Sequence, residues 1–274
     1  MPPFIGGICF LEGNMKKLCF VLGAGGARGI AHIGFLKAME ENGIYPDCIA
    51  GCSMGSVVGA CYASGMKPDE MMEVVDSLKL SDIADASLFP FNKKSLFRSV
   101  KLRSKIDNIL GGVTFSELKI PFECIAADIN NCEIEVLKTG NVAEAVRASS
   151  SIPGVFNPVE KGDKVLVDGG IFMTLPLICI KDFKPDIVVV VDVLGGVKTH
   201  NDKEGLLSHV LRVVDANAVY LKKHQLKKYK HNVLVTPQLG DMSQYKVADL
   251  KWAYNQGYIA GIENIKKIKK LIED

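Results

Sequence analysis

Short apolar runs alternate along this chain with longer segments whose apolar positions recur every three or four residues. Leu18 to Leu22 is an uninterrupted apolar run ending at a glycine, and Ile30 to Glu41 then sets Ile30, Ile33, Leu36 and Met39 at helical spacing. The order repeats: Cys48-Ile49-Ala50-Gly51 predicts a second short strand, and Val57 to Met66 a helix rich in small residues. Pro68 with Asp69 and Glu70 opens another helix, because proline and acids suit a first helical turn. Pro121 to Ile129 and Glu133 to Lys138 predict a hairpin around Asn130-Asn131, Val142 to Ser149 the start of a helix, and Lys164 to Val167 a strand ending at Asp168. Ile187 to Val193 is β-branched without alternation, as expected of a strand covered on both faces. Helical segments at 205–229 and 247–273, with a strand at 233–236 between them, complete the pattern.

Alternating strands and helices around a buried central strand predict one α/β domain built on a mostly parallel sheet. Met15-Lys16-Lys17 leads into the first strand, so the domain is expected over 15–274, with residues 1–14 as an N-terminal extension. That extension has an apolar stretch without a preceding basic region or a clear cleavage site, which reads against a signal peptide. The longest apolar runs fall far short of the ~20 residues that cross a bilayer. A cytoplasmic protein is expected, with peripheral contact at the inner membrane surface as its one membrane option.

Composition changes the picture little. Across 274 residues, 48% hydrophobic and 23% charged side chains are ordinary for a globular protein, and a net charge of +2 provides no global field to select nucleic acid. Cys9, Cys19, Cys48, Cys52, Cys61, Cys124, Cys132 and Cys179 are scattered without CxxC spacing, so they read as small core residues and not as metal ligands.

The candidate chemistry starts at Gly51-Cys52-Ser53-Met54-Gly55. A serine between two glycines on a strand-to-helix turn has the geometry that exposes a nucleophilic hydroxyl, and the N–H of the next residue, Met54, commonly points at a developing oxyanion. The plainer reading is a helix-capping serine. Upstream, Gly23-Ala24-Gly25-Gly26-Ala27-Arg28-Gly29 fits no register of the dinucleotide fingerprint G-x-G-x-x-G, although Asp47 lies at about the distance of a ribose-binding acid. As an oxyanion loop it works better, with backbone donors at Gly25 and Gly26, the positive end of the following helix, and Arg28 to fix its shape. A structural strand-to-helix turn remains the alternative. Asp168-Gly169-Gly170, at a strand end, is well placed to reach into a site, and taken alone is an ordinary turn.

Counted together and in this order, these elements resemble the patatin-like phospholipase family, in particular its short bacterial members. The carriers are Gly25-Gly26-Ala27-Arg28-Gly29, Gly51 to Gly55, Asp168-Gly169-Gly170, and the stretch Ala148-Ser149-Ser150-Ser151-Ile152-Pro153-Gly154-Val155-Phe156. The departures are Ala24, where the commonest loop has glycine, and Cys52 at the variable elbow position. The resemblance implies a three-layer patatin-like fold with a mostly parallel central sheet and helices on both faces. It further implies a Ser53/Asp168 dyad without histidine, an oxyanion hole from Gly25, Gly26, Ala27, Arg28 and Met54, motif glycines Gly29, Gly51, Gly55, Gly169 and Gly170, lipid or other ester substrates, and no metal or organic cofactor.

Rival readings remain. His200, His209, His224 and His231 follow Asp168 in the chain order of a Ser-Asp-His triad, and His32 lies near the glycine loop. A catalytically silent regulatory or scaffold protein could carry the same motifs, and a nucleotide-binding oxidoreductase is the third class. Between residues 89 and 105, Phe89, Phe91, Leu96 and Phe97 interleave with Lys93, Lys94, Arg98, Lys101, Arg103 and Lys105. Apolar anchors beside cations suit transient contact with an anionic lipid surface, or form a solvated basic loop over core phenylalanines. The lysines at 266, 267, 269 and 270 read as the wet side of a helix whose stripe Tyr258, Ile262, Ile265 and Ile272 faces the core.

Overall fold

A computed structural model describes residues 16–77, 108–195, 206–245 and 249–274. Residues 1–14 and 89–105, on which the extension and the lipid-contact expectations fall, lie outside them.

Among the described residues, eight strands form one sheet: β1 (Leu18–Leu22), β2 (Cys48–Gly51), β3 (Phe122–Asp128), β4 (Glu133–Leu137), β5 (Val159–Lys161), β6 (Lys164–Asp168), β7 (Ile187–Val191) and β8 (Val233–Val235). β3, β2, β1, β7 and β8 lie side by side, and every pairing among them is parallel. β4 and β6 both run antiparallel to β3, and the short β5 pairs with β6. The helices are α1 (Ala31–Glu41), α2 (Met54–Ser64), α3 (Pro68–Ser77), α4 (Val142–Ser149), α5 (Ile180–Phe183), α6 (Leu206–Lys228) and α7 (Leu250–Glu273).

The central strands are apolar throughout because both faces are covered. From β1, Leu18, Phe20 and Leu22 enter a core with residues of α1, α2, α4 and α7, while Cys19 and Val21 point the other way onto Leu175, Leu177 and Phe183. Cys19, Cys48, Cys52, Cys61, Cys124 and Cys179 are buried, and Cys132 is exposed in the hairpin turn.

α7 departs from the expected stripe. Ile262 and Ile272 are exposed, and the buried positions are Ala253, Gly257, Ala260, Gly261 and Ile268. A Cβ at Gly257 would run into the Ala31 carbonyl, so small residues win this face by letting α7 approach the backbone of α1. α2 also starts earlier than periodicity suggested, at Met54, directly after the serine.

The registers explain how distant segments meet. Cys124 of β3 pairs with Gly51 of β2 on one edge and Leu137 of β4 on the other; Ala126 pairs with Asp168 of β6 and Glu135 of β4. β2 and β6 therefore share the edge of β3 that β4 does not occupy. They run in opposite senses, and their carboxyl ends face each other two β3 residues apart, roughly 7 Å at strand spacing.

Candidate active site

Ser53 follows the end of β2 and occupies the N-cap position of α2 without a side-chain capping bond, at φ 53° and ψ −125°, in the left-handed region that L-residues avoid. The turn is this tight because α2 lies directly on the end of β1: a Cβ at Gly55 would sit 2.6 Å from the Gly23 carbonyl oxygen and closer still to that of Leu22. Gly51 is packed on the backbone of Ser56, and Gly29 on the Met54 side chain. Held this way, Ser53 is 5% exposed, with its hydroxyl close enough to Asp168 to influence that group's ionisation.

Asp168 ends β6 and is 6% exposed. Its carboxylate accepts from the Gly170 N–H at 2.8 Å, and the neighbouring Ser53 hydroxyl favours its charged form. Gly169 lies against the Ile125 carbonyl, where a side chain would push β6 away from β3. Burial raises the Asp168 carboxyl to about 6, outweighing the Ser53 hydroxyl and the Gly170 N–H, which favour its charged form. His32, wholly buried on α1, shifts the other way: burial lowers it to about 4, although the Gly23 carbonyl 2.8 Å from Nε2 favours its protonation. The usual order of basicity is thus reversed, and the carboxylate is the stronger base of the two.

The glycine loop between β1 and α1 narrows the expected set of donors. The Ala27 N–H is bonded to the Gln244 carbonyl at 2.9 Å and the Arg28 N–H to the Gly25 carbonyl at 3.1 Å, so neither is available to an oxyanion. Those two expectations are corrected by the local turn geometry. The N–H groups of Gly25, Gly26 and Met54 have no hydrogen-bond partner among the described residues. Arg28 fixes the loop as expected: wholly buried, it donates from Nε to Val193 O at 2.7 Å and from Nη1 to Met242 O at 2.9 Å and Gly240 O at 3.2 Å. The turn that supplies Val193 is braced by Asp192, which accepts from Leu194 N–H and pairs with Lys222 of α6 at 2.7 Å.

Several residues here escaped sequence reading. Gln244 caps the loop with its carbonyl, and with Tyr245 it donates to Asp215 of α6. Ser149 accepts the Ser53 N–H at 3.1 Å. Its one signal was the serine run at the end of a predicted helix. Of the rival residues, Asp47 accepts the Leu18 N–H at the amino end of β1, the opposite end of the strand from the glycine loop, which removes it from a ribose-binding role. The His224 ring packs on Tyr220, and His231 Nδ1 contacts the Tyr229 carbonyl. Asp168 instead accepts the Gly170 N–H and has the Ser53 hydroxyl beside it. His200 lies outside the described residues. Among the described residues, no group of three or more His, Cys, Asp or Glu side chains could hold a metal ion, and no helix is long and apolar enough to cross a membrane.

A family model described as patatin-like phospholipase matches residues 20–178, more than half of the chain and inclusive of the glycine loop, Ser53 and Asp168. The chain belongs to the patatin-like phospholipase family. An uncharacterized NTE family protein of Mycobacterium bovis is similar to it at 35% identity over 182 residues, covering 66% of this chain and 50% of that protein. A protein named Lysophospholipase NTE1 from Cryptococcus neoformans is 33% identical over 195 residues, covering 65% of this chain and 12% of that protein. The chain thus spans about half the length of the mycobacterial relative and much less of the fungal one. VipD from Legionella pneumophila matches in fold with a TM-score of 0.59, over 95% of this chain and 67% of that one, at 13% sequence identity. The three-layer patatin-like architecture expected of this family member is the one described above.

Proposed function

We propose that this patatin-like chain is a serine acyl hydrolase that cleaves lipid carboxyl esters with Ser53 as nucleophile and Asp168 as general base. The observation that carries the reading is the Ser53 hydroxyl lying beside the buried Asp168 carboxyl and favouring its charged form, while burial raises that carboxyl to about 6. An ordinary carboxylate, with a pKa of about 3.9, is a weak acceptor for a serine proton; burial narrows that gap while leaving the group mostly ionised at neutral pH.

In acylation, Ser53 Oγ attacks the ester carbonyl carbon and its proton passes to Asp168. The carbonyl oxygen becomes an oxyanion, received by the N–H groups of Gly25, Gly26 and Met54 and by the positive ends of the helices they open onto. Collapse of this intermediate breaks the ester C–O bond, and the departing alkoxide takes the proton from Asp168. Water then attacks the acyl-serine with Asp168 again as base, releasing a carboxylic acid and free Ser53. One oxyanion donor is worth about 3 kcal/mol in such a transition state, so the loop supplies much of the barrier reduction. His32 is not the base in this scheme, since it is neutral, wholly buried and engaged with Gly23.

The name borne by the fungal relative favours lysophospholipids as the first substrates to test. The decisive experiment combines fluorophosphonate labelling, mapped by mass spectrometry, with turnover of p-nitrophenyl esters and lysophosphatidylcholine by wild type, Ser53→Ala and Asp168→Asn. Label on Ser53 and loss of turnover in both variants are expected; equal turnover in all three would overturn the dyad. A folded wild type that neither labels nor turns over any ester would favour the silent scaffold.

A further inference from the structure

Three serines in succession end α4, and their hydroxyls do different things. The Ser150 hydroxyl bonds to the Val146 carbonyl and that of Ser151 to the Arg147 carbonyl, each at 2.7 Å and each closing the last turn of its own helix. Ser149, wholly buried, instead turns its oxygen out of the helix and accepts the Ser53 N–H at 3.1 Å. Two residues further, the Ser151 carbonyl accepts the Asp168 N–H at 2.9 Å. Ser53 and Asp168 come from different strands, yet their backbones hang from one three-residue turn. That turn is itself anchored, because Val142 and Val146 bury α4 in the core beside β3.

This arrangement bears on the strain at Ser53. A non-glycine residue at φ 53° persists only where its surroundings over-determine it. Gly55 lets α2 press on β1 from one side, and the bond to Ser149 fixes the peptide N–H of Ser53 from the other. Without Ser149 that N–H is a buried donor with no partner, and the turn relieves both penalties by rotating. Rotation swings Oγ away from Asp168 and moves the Met54 N–H with it.

We propose that Ser149 is a positioning residue for the nucleophile: its hydroxyl oxygen holds the Ser53 peptide in the strained conformation that aims Oγ at Asp168 and the Met54 N–H at the oxyanion. This rests on the reading of Ser53 and Asp168 as nucleophile and base. It touches no substrate atom, so its effect falls on the chemical step and not on binding.

The test compares Ser149→Ala, Ser149→Cys and Ser150→Ala with wild type in fluorophosphonate labelling rate, kcat and KM on a short-chain p-nitrophenyl ester, and melting temperature. Ser149→Ala is expected to slow labelling of Ser53 and lower kcat about 10- to 100-fold, the span that one unpaired buried donor corresponds to. KM should stay within about twofold, the signature of an interaction made for the transition state. Ser149→Cys, which keeps the shape with a poorer acceptor, should fall between Ser149→Ala and wild type, and it carries the test if the alanine variant does not fold. Ser150→Ala should label at the wild-type rate. Label on Ser53 at an unchanged rate in a folded Ser149 variant overturns the inference while leaving the dyad standing, as does an equal loss in Ser150→Ala. Label on a residue other than Ser53 overturns both.

Discussion

The glycine loop after β1 and the serine turn after β2 leave neighbouring parallel strands at the same end of the sheet, yet they are held by opposite means. The loop is tied from a distance: Arg28 reaches carbonyls at Val193, Gly240 and Met242, and Gln244 takes the Ala27 N–H. The serine turn is compressed locally, with Ser53 strained, Gly55 against the end of β1 and Ser149 on the peptide N–H. On the proposed mechanism, the difference follows from what each must present. An oxyanion site needs rigid N–H groups with no partner, so rigidity has to come from other atoms of the loop. A nucleophile needs one free hydroxyl, so its backbone can be fastened completely.

The comparison can be broken at the tether. Arg28→Leu leaves buried carbonyls without donors and is expected to lower stability by about 3 kcal/mol or more, read as a urea midpoint, with labelling of Ser53 slowed. An unchanged midpoint would mean that the loop holds itself. The matching attack on the serine turn is Gly55→Ala. Pressing a methyl onto the Gly23 carbonyl should cost about 2 kcal/mol by overpacking and lower kcat far more than KM.

A third test uses the sign of the Asp168 shift. Its folded pKa, about 6, lies above its ordinary value, so the fold favours the protonated form. That contribution is present below the unfolded pKa and is lost as pH rises through about 6. His32, depressed to about 4, contributes stability above its ordinary value that is lost as pH falls through about 4. The two trends oppose each other in wild type. Asp168→Asn removes one of them, so its stability relative to wild type should grow between about pH 4 and 6, by about 2 kcal/mol in chemical denaturation. The activity of wild type should fall on the acid side with an apparent pKa near 6, and a flat profile to pH 4.5 would contradict the buried base. The smallest effect is expected from strain alone. Ser53→Gly should be more stable than Ser53→Ala by about 1 kcal/mol, both being inactive, because glycine tolerates a positive φ.

The elements that could be read from sequence were those with local causes. β1 and β2 are apolar runs ending at glycine, the hairpin announces itself at Asn130-Asn131, and α3 begins at Pro68 with two acids behind it. Ser53 and Asp168 each stand in a short motif at a strand end, and only the motifs counted together, through the family resemblance, point to the pair. On α7, Tyr258 and Ile265 of the apolar stripe pack against the core while Ile262 and Ile272 are exposed, and Gly257 and Gly261 are buried by close approach to α1, which a pattern of large apolar residues does not reveal. At Ala27 and Arg28, spacing shows which N–H groups the loop owns and not that both already have partners.

By itself, the sequence determined the alternation of strands and helices, the strain-tolerant glycines and the ordered short motifs from which the dyad is proposed, each a property of neighbours along the chain. Only tertiary structure decided that β6 runs against β3 and brings Asp168 to the end of β2, that Ser149 reaches the Ser53 peptide, and that burial makes a carboxylate a stronger base than the nearby histidine. Strand direction, long-range hydrogen bonds and desolvation depend on what surrounds a residue once the chain has closed on itself, and no stretch of sequence carries that information alone.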